Sequence, residues 1–208
     1  MVIGLFLFAL GIVVTIKANI GYAPWEVFQV GLANTFGLSI GLATIIVGLA
    51  IVITVKIFGE KIGFGTISNM FLIGAFIDVI LFIDVLPVPK NLMISIPMLI
   101  AGLFIISIGS YFYIKQAFGA GPRDYLMVVL TRRTKLPVGI CRSIIELFVM
   151  IVGWRLGGMV GIGTLISVIG IGFCIQITFK ILHFDVASIK HESFSDTFKA
   201  LMKLRTPR

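Results

Sequence analysis

Charge is scarce in this chain, and so are the side chains that carry most enzyme chemistry. Only 12% of its 208 residues are charged, against about a quarter in soluble domains. It has two cysteines and two histidines. Cys141 and Cys174 fall inside apolar stretches without metal-type spacing, as expected of inert buried thiols. His183 and His191 stand near the C-terminal end and form no ligand cluster with them. No Walker A loop, nucleophile triad or zinc signature occurs. An enzyme is therefore not expected, and neither is a metal or a cofactor.

What the chain has instead is apolar sequence, 59% of all residues, for a mean hydropathy of +1.14. A membrane span needs roughly 20 consecutive apolar residues. Six blocks approach that length: 2–18, 38–57, 65–83, 94–114, 138–154 and 162–182. Little chain is left over for a soluble domain. The first block lacks the basic leader of a secretory signal and reads as a span.

The 17 basic residues outnumber the nine acidic ones, for a net charge of +8. Their placement separates a membrane topology from a nucleic-acid surface. With the N-terminus inside and six crossings, only Lys17, Lys90 and Arg155 fall outside, and the other 14 fall inside. Positive residues beside spans favour the cytoplasm. The excess charge is a topology signal, both termini are expected in the cytoplasm, and no nucleic-acid partner is expected.

The chain also repeats itself. Shifted by 98 positions, residues 4–80 align with 102–178 without a gap, and 22 of the 77 pairs are identical. Eight identities are glycines, among them Gly4/Gly102, Gly11/Gly109, Gly41/Gly139 and Gly74/Gly172. Three spans per half is an odd number, so related halves must enter the membrane from opposite faces, as in many secondary transporters. The expected fold is all-α: six transmembrane helices as two inverted-topology three-helix repeats. Residues 1–84 form the first repeat, 85–93 an external linker, 94–182 the second repeat and 183–208 a cytoplasmic basic amphipathic tail.

Each half adds a stretch too short to cross, 24–36 and 122–134. They open as Gly21-Tyr-Ala-Pro-Trp-Glu26 and Gly119-Ala-Gly-Pro-Arg-Asp124. Glycine ends a span, proline suits a first helical position, and an acid falls in the first turn. This spacing predicts a broken or re-entrant half-helix whose N-terminal N–H groups suit an anion. The candidate substrate-binding residues are therefore Pro24, Trp25, Glu26, Pro122, Arg123 and Asp124. Arg123 would hold an anionic group, Asp124 would orient it, and Trp25 would supply an aromatic wall. The plainer reading is that Glu26 and Asp124 complement their own helix dipoles, in helices lying along the headgroups.

Six polar residues within spans complete the candidates. Glu146 is an intramembrane acid, a functional candidate by default. Arg142 lies one turn earlier, so a neutralising intrahelical pair is the alternative. Asp78 reads as an interface acid before a proton carrier. Thr66 and Thr164 are expected to hydrogen-bond between helices, with Asn69. Gly63-Phe-Gly-Thr66 and Gly161-Ile-Gly-Thr164 lack the third glycine and strand context of a nucleotide loop, and close helix packing explains them better.

The run Ala-Asn-Ile-Gly-Tyr-Ala-Pro-Trp-Glu-Val-Phe (18–28), the loop 59–66, Gly119-Ala-Gly-Pro-Arg-Asp-Tyr-Leu-Met and Gly161-Ile-Gly-Thr resemble the YczE/YitT-like bacterial integral membrane proteins. That resemblance covers the chain to about residue 180 and implies a multi-pass protein of the bacterial inner membrane, related to transporter-like proteins. It carries no substrate. The function expected is a small secondary carrier for a small solute, anionic by the argument above. The alternative is a non-transporting membrane protein that binds lipid or regulates a partner. Membrane lipid and a small-molecule solute are the expected partners, with self-association left open.

Overall fold

The computed structural model describes residues 1–60, 62–116 and 121–184, apart from the side chains of Phe64, Asp124, Val128 and Val138. The expected tail helix lies outside the described residues from position 185 onward. Among those described there is no strand. Eight helices follow one another: α1 (Val2–Lys17), α2 (Pro24–Phe36), α3 (Ile40–Ile57), α4 (Phe64–Ile83), α5 (Leu92–Ile114), α6 (Pro122–Thr134), α7 (Val138–Arg155) and α8 (Ile162–Ile181).

Four of them, α3, α4, α5 and α8, are long and apolar enough to cross a membrane. The apolar α1 is shorter, at 16 residues. The 18 residues of α7 include Arg142, Glu146 and Arg155. Their outward faces are apolar: Ile53, Phe71, Phe148, Leu165 and Phe173 are all exposed. In water such a surface would be a liability; in lipid it is the solvated face. This is a multi-pass membrane protein.

The two 13-residue helices, α2 and α6, start and stop for local reasons. Ala23 and Gly121 are extended N-caps, and Pro24 and Pro122 take the first helical position, where a missing N–H costs nothing. Gly37 ends α2 in the left-handed conformation at φ 65°. Gly21, at φ +112°, sits where a Cβ would lie 2.5 Å from the Gly161 nitrogen. No other residue fits that turn.

Helix packing follows the sequence repeat. Equivalent helices α1 and α5 pack antiparallel, Gly4 against Gly109 and Gly11 against Gly102. The pairs α1·α4 and α5·α8, α2·α3 and α6·α7, and α2·α7 and α3·α6 are in contact, and the 98-residue shift exchanges the members of each set. One relation breaks this pattern. A Cβ on Gly41 would stand 2.0 Å from the Gly74 oxygen, so α3 and α4 touch backbone to backbone. At the equivalent Gly139 and Gly172, a Cβ meets nothing within 4 Å.

Glycine is required where α2 meets α7. A Cβ on Gly153 would lie 2.4 Å from the Phe28 backbone, which cannot rotate away as a side chain can. Gly153→Val should therefore cost at least the roughly 1–3 kcal/mol typical of overpacking. The readout is a lower apparent melting temperature in detergent, and an unchanged melting curve would mean that α2 is not docked there.

Candidate binding cavity between the halves

The short helices point their N-termini at one cavity of about 320 Å³, large enough for a small organic molecule. Both half-helices and the long helices of each half contribute to its wall. Twelve lining pairs are exchanged by the 98-residue shift, including Ala23/Gly121, Pro24/Pro122, Val47/Ile145, Asn69/Ser167 and Ile73/Ile171. The cavity thus lies where the two halves are equivalent. Its apolar wall respects that equivalence and most of its polar side chains do not, although Glu26 has the acid Asp124 as its equivalent. Trp25 is matched by Arg123, Thr44 by Arg142, Gly48 by Glu146 and Gln29 by Met127.

Two ion pairs face the space. Arg142 on α7 donates from Nε to Glu146 Oε1 at 2.9 Å, one turn along the same helix. The second pair joins the halves: Arg123 Nη1 at the start of α6 lies 3.5 Å from Glu26 Oε1 in the first turn of α2. It is the looser of the two, and the Arg123 guanidinium also rests over the Trp25 ring, 4.8 Å from its centroid. The Glu26 side chain is only 7% exposed, against 30% for that of Arg123. A carboxylate so buried needs its counter-charge, and Glu146 adds a second negative charge within electrostatic reach. The four charged side chains of these two pairs sum to zero.

Two further polar groups stand in the wall with their needs unmet. Gln29 Oε1 and Ser167 Oγ are buried without a hydrogen-bond partner among the described residues, each on a side chain whose residue is 1% exposed. By contrast, the hydroxyls of Thr44 and Ser110 bond back to Ile40 and Ile106 on their own helices, both at 2.9 Å.

Of the residues singled out from sequence, Pro24, Trp25, Glu26, Pro122, Arg123, Arg142 and Glu146 all line this cavity. The side chain of Asp124 and residues 119–120 lie outside the described residues, and the acid found against Arg123 is Glu26 of the opposite half. Asp78, Thr66 and Thr164 are not part of the wall. Asp78 caps α3, accepting from the Ser39 hydroxyl at 2.5 Å and the Gly41 N–H at 2.7 Å. The Thr164 hydroxyl accepts from the Gly161 N–H at 3.1 Å, closing the first turn of its own helix and not bridging to another. Thr66 is buried at the start of α4. Gln29 and Ser167 escaped the sequence reading. Gln29 lies one turn beyond Glu26, and Ser167 is the repeat equivalent of Asn69; either relation was available to find them.

Residues 1–180 match the model of a family of unknown function, DUF6198. The chain is 35% identical over 192 residues to a Bacillus subtilis protein bearing the name uncharacterized membrane protein YczE, with 88% of this chain and 87% of that one covered. It is 30% identical over 185 residues to an uncharacterized Haemophilus influenzae protein, covering 86% and 84%. It is 28% identical over 169 residues to the Bacillus subtilis uncharacterized protein YyaS, covering 80% and 84%. No solved structure matches.

Proposed function

The chain belongs to the DUF6198 family, and from that premise we propose that it is a small secondary carrier, moving a small solute through the cavity between its halves by alternating access. The observation that carries this reading is the cavity's position: its wall is built from repeat-equivalent residues and from both half-helix N-termini. Carriers built from inverted repeats hold their solute near the midplane, at discontinuous helices.

The reading includes six crossings, α1, α3, α4, α5, α7 and α8, with both termini in the cytoplasm of a bacterial cell and the two halves inverted. Antiparallel packing of the equivalent α1 and α5 supports inversion. So do contacts between segments that this threading puts on one face. On the outer side Lys17 pairs with Asp84, the Tyr22 N–H donates to Met159 O at 3.1 Å, and the Gly163 N–H to Ile20 O at 2.7 Å. On the inner side Arg132 pairs with Glu60.

The test is uptake by the purified protein in proteoliposomes, with a panel of radiolabelled amino acids and small organic acids. Saturable uptake above that of empty vesicles is expected for at least one of them. Reporter fusions should place the C-terminus in the cytoplasm and residues 85–91 outside. Solute or lipid binding without uptake across the panel would replace the carrier by the non-transporting membrane partner.

A further inference from the structure

We propose that the cavity binds a zwitterion of the amino-acid type, carrying a carboxylate and an ammonium on a small apolar skeleton. The inference rests on the carrier's site but not on its movement. It begins with the loose pair. At 3.5 Å from Glu26 and stacked on Trp25, Arg123 does not commit its planar fork to the carboxylate beside it. A carboxylate from the solute would take that fork bidentately, where the N-termini of α2 and α6 add partial positive charge.

A solute with that carboxylate alone would draw Arg123 away from Glu26 and leave a buried acid without its counter-charge, which is strongly unfavourable. An ammonium on the same molecule removes the conflict. It offers donors to Glu26 and, with a turn of the Gln29 side chain toward the cavity, to Gln29 Oε1, which is buried one turn further along α2 without a partner among the described residues. The solute then replaces both halves of the pair it parts and, being neutral overall, leaves the net charge of the cavity unchanged. A lone ammonium fails by the same logic, since it satisfies Glu26 and strands Arg123. Trp25, Val47, Ile51 and Ile73 are left to cover the apolar skeleton.

Binding to the full-length protein in detergent decides the matter, using two matched sets. One is phenylalanine, 3-phenylpropionate and 2-phenylethylamine; the other is leucine, 4-methylpentanoate and 3-methylbutylamine. In at least one set the zwitterion should bind about tenfold or more tighter than either singly charged analogue. Glu26→Gln should shrink that ratio several-fold by relaxing the demand for an ammonium. Should that variant not fold, Gln29→Leu, which removes the unpartnered acceptor, should shrink it in the same sense. Equal or tighter binding of a singly charged analogue in both sets overturns the proposal, as does absence of zwitterion binding in both. A zwitterion that binds yet is not taken up by proteoliposomes leaves this proposal standing and sinks the carrier. Uptake of a carboxylate with no zwitterion bound does the reverse.

Discussion

Arg123→Met should destabilise the protein by about 3–5 kcal/mol, the usual consequence of stripping the partner from a buried charge. The Glu26 carboxylate, 7% exposed, would be left with Glu146 for its charged neighbour. Adding Glu26→Met should return most of that loss, because a buried pair replaced by apolar side chains of similar volume is often neutral. The double variant therefore separates folding from function: it should melt near the wild type and bind no solute. Arg123→Lys gives a third state. Lysine keeps the charge beside Glu26 but loses the planar fork and its stacking on Trp25. Its stability should fall by only about 1 kcal/mol, whereas solute binding should drop nearly as far as in Arg123→Ala. Thermal denaturation and binding measured side by side check all three. If Arg123→Met melts like the wild type, Glu26 is not held by Arg123.

The two short helices are legible in sequence because their boundaries are chemical. A glycine that only a left-handed turn explains, a proline at the first helical position and an acid in the first turn place α2 at 24–36 without reference to anything distant. The long helices were legible from length and apolarity, with ends set by short-range signals such as Ser39 and Asn91, whose side chains cap α3 and α5.

Pairing across the chain was less legible. Asp124 is the acid next to Arg123 in sequence, and its side chain lies outside the described residues; the acid found against Arg123, Glu26, arrives from 97 positions away and only through the fold. Asp78 reads as an interface acid from sequence, but the helix start it caps is brought to it only by the packing of α3 on α4. For Gln29 the sequence offers only its spacing from Glu26. Its burial without a partner among the described residues is a property of the folded wall.

In helix packing, repeat symmetry breaks where α3 meets α4. Alternating access in an inverted-repeat carrier means that each half adopts, in the second state, the arrangement its counterpart holds in the first. Here α3 and α4 meet through Gly41 and Gly74, while Gly139 and Gly172 face open space. In the exchanged state α7 and α8 should close through those two glycines, and no side chain fits where a Cβ would stand 2.0 Å from a carbonyl oxygen. Gly139→Leu and Gly172→Leu should therefore leave the present arrangement intact. Their stability should hold or rise by up to about 1 kcal/mol, since glycine is a poor helix former. Solute binding should survive as well. For the carrier proposed above, uptake should fall tenfold or more, because its cycle could no longer be completed. A leucine at Gly41 or Gly74 would instead disrupt the structure itself and appear first as lost stability. Uptake at the wild-type rate in both the Gly139 and Gly172 variants would show that α7 and α8 never close in this way, and the exchange of states between the halves would have to be abandoned.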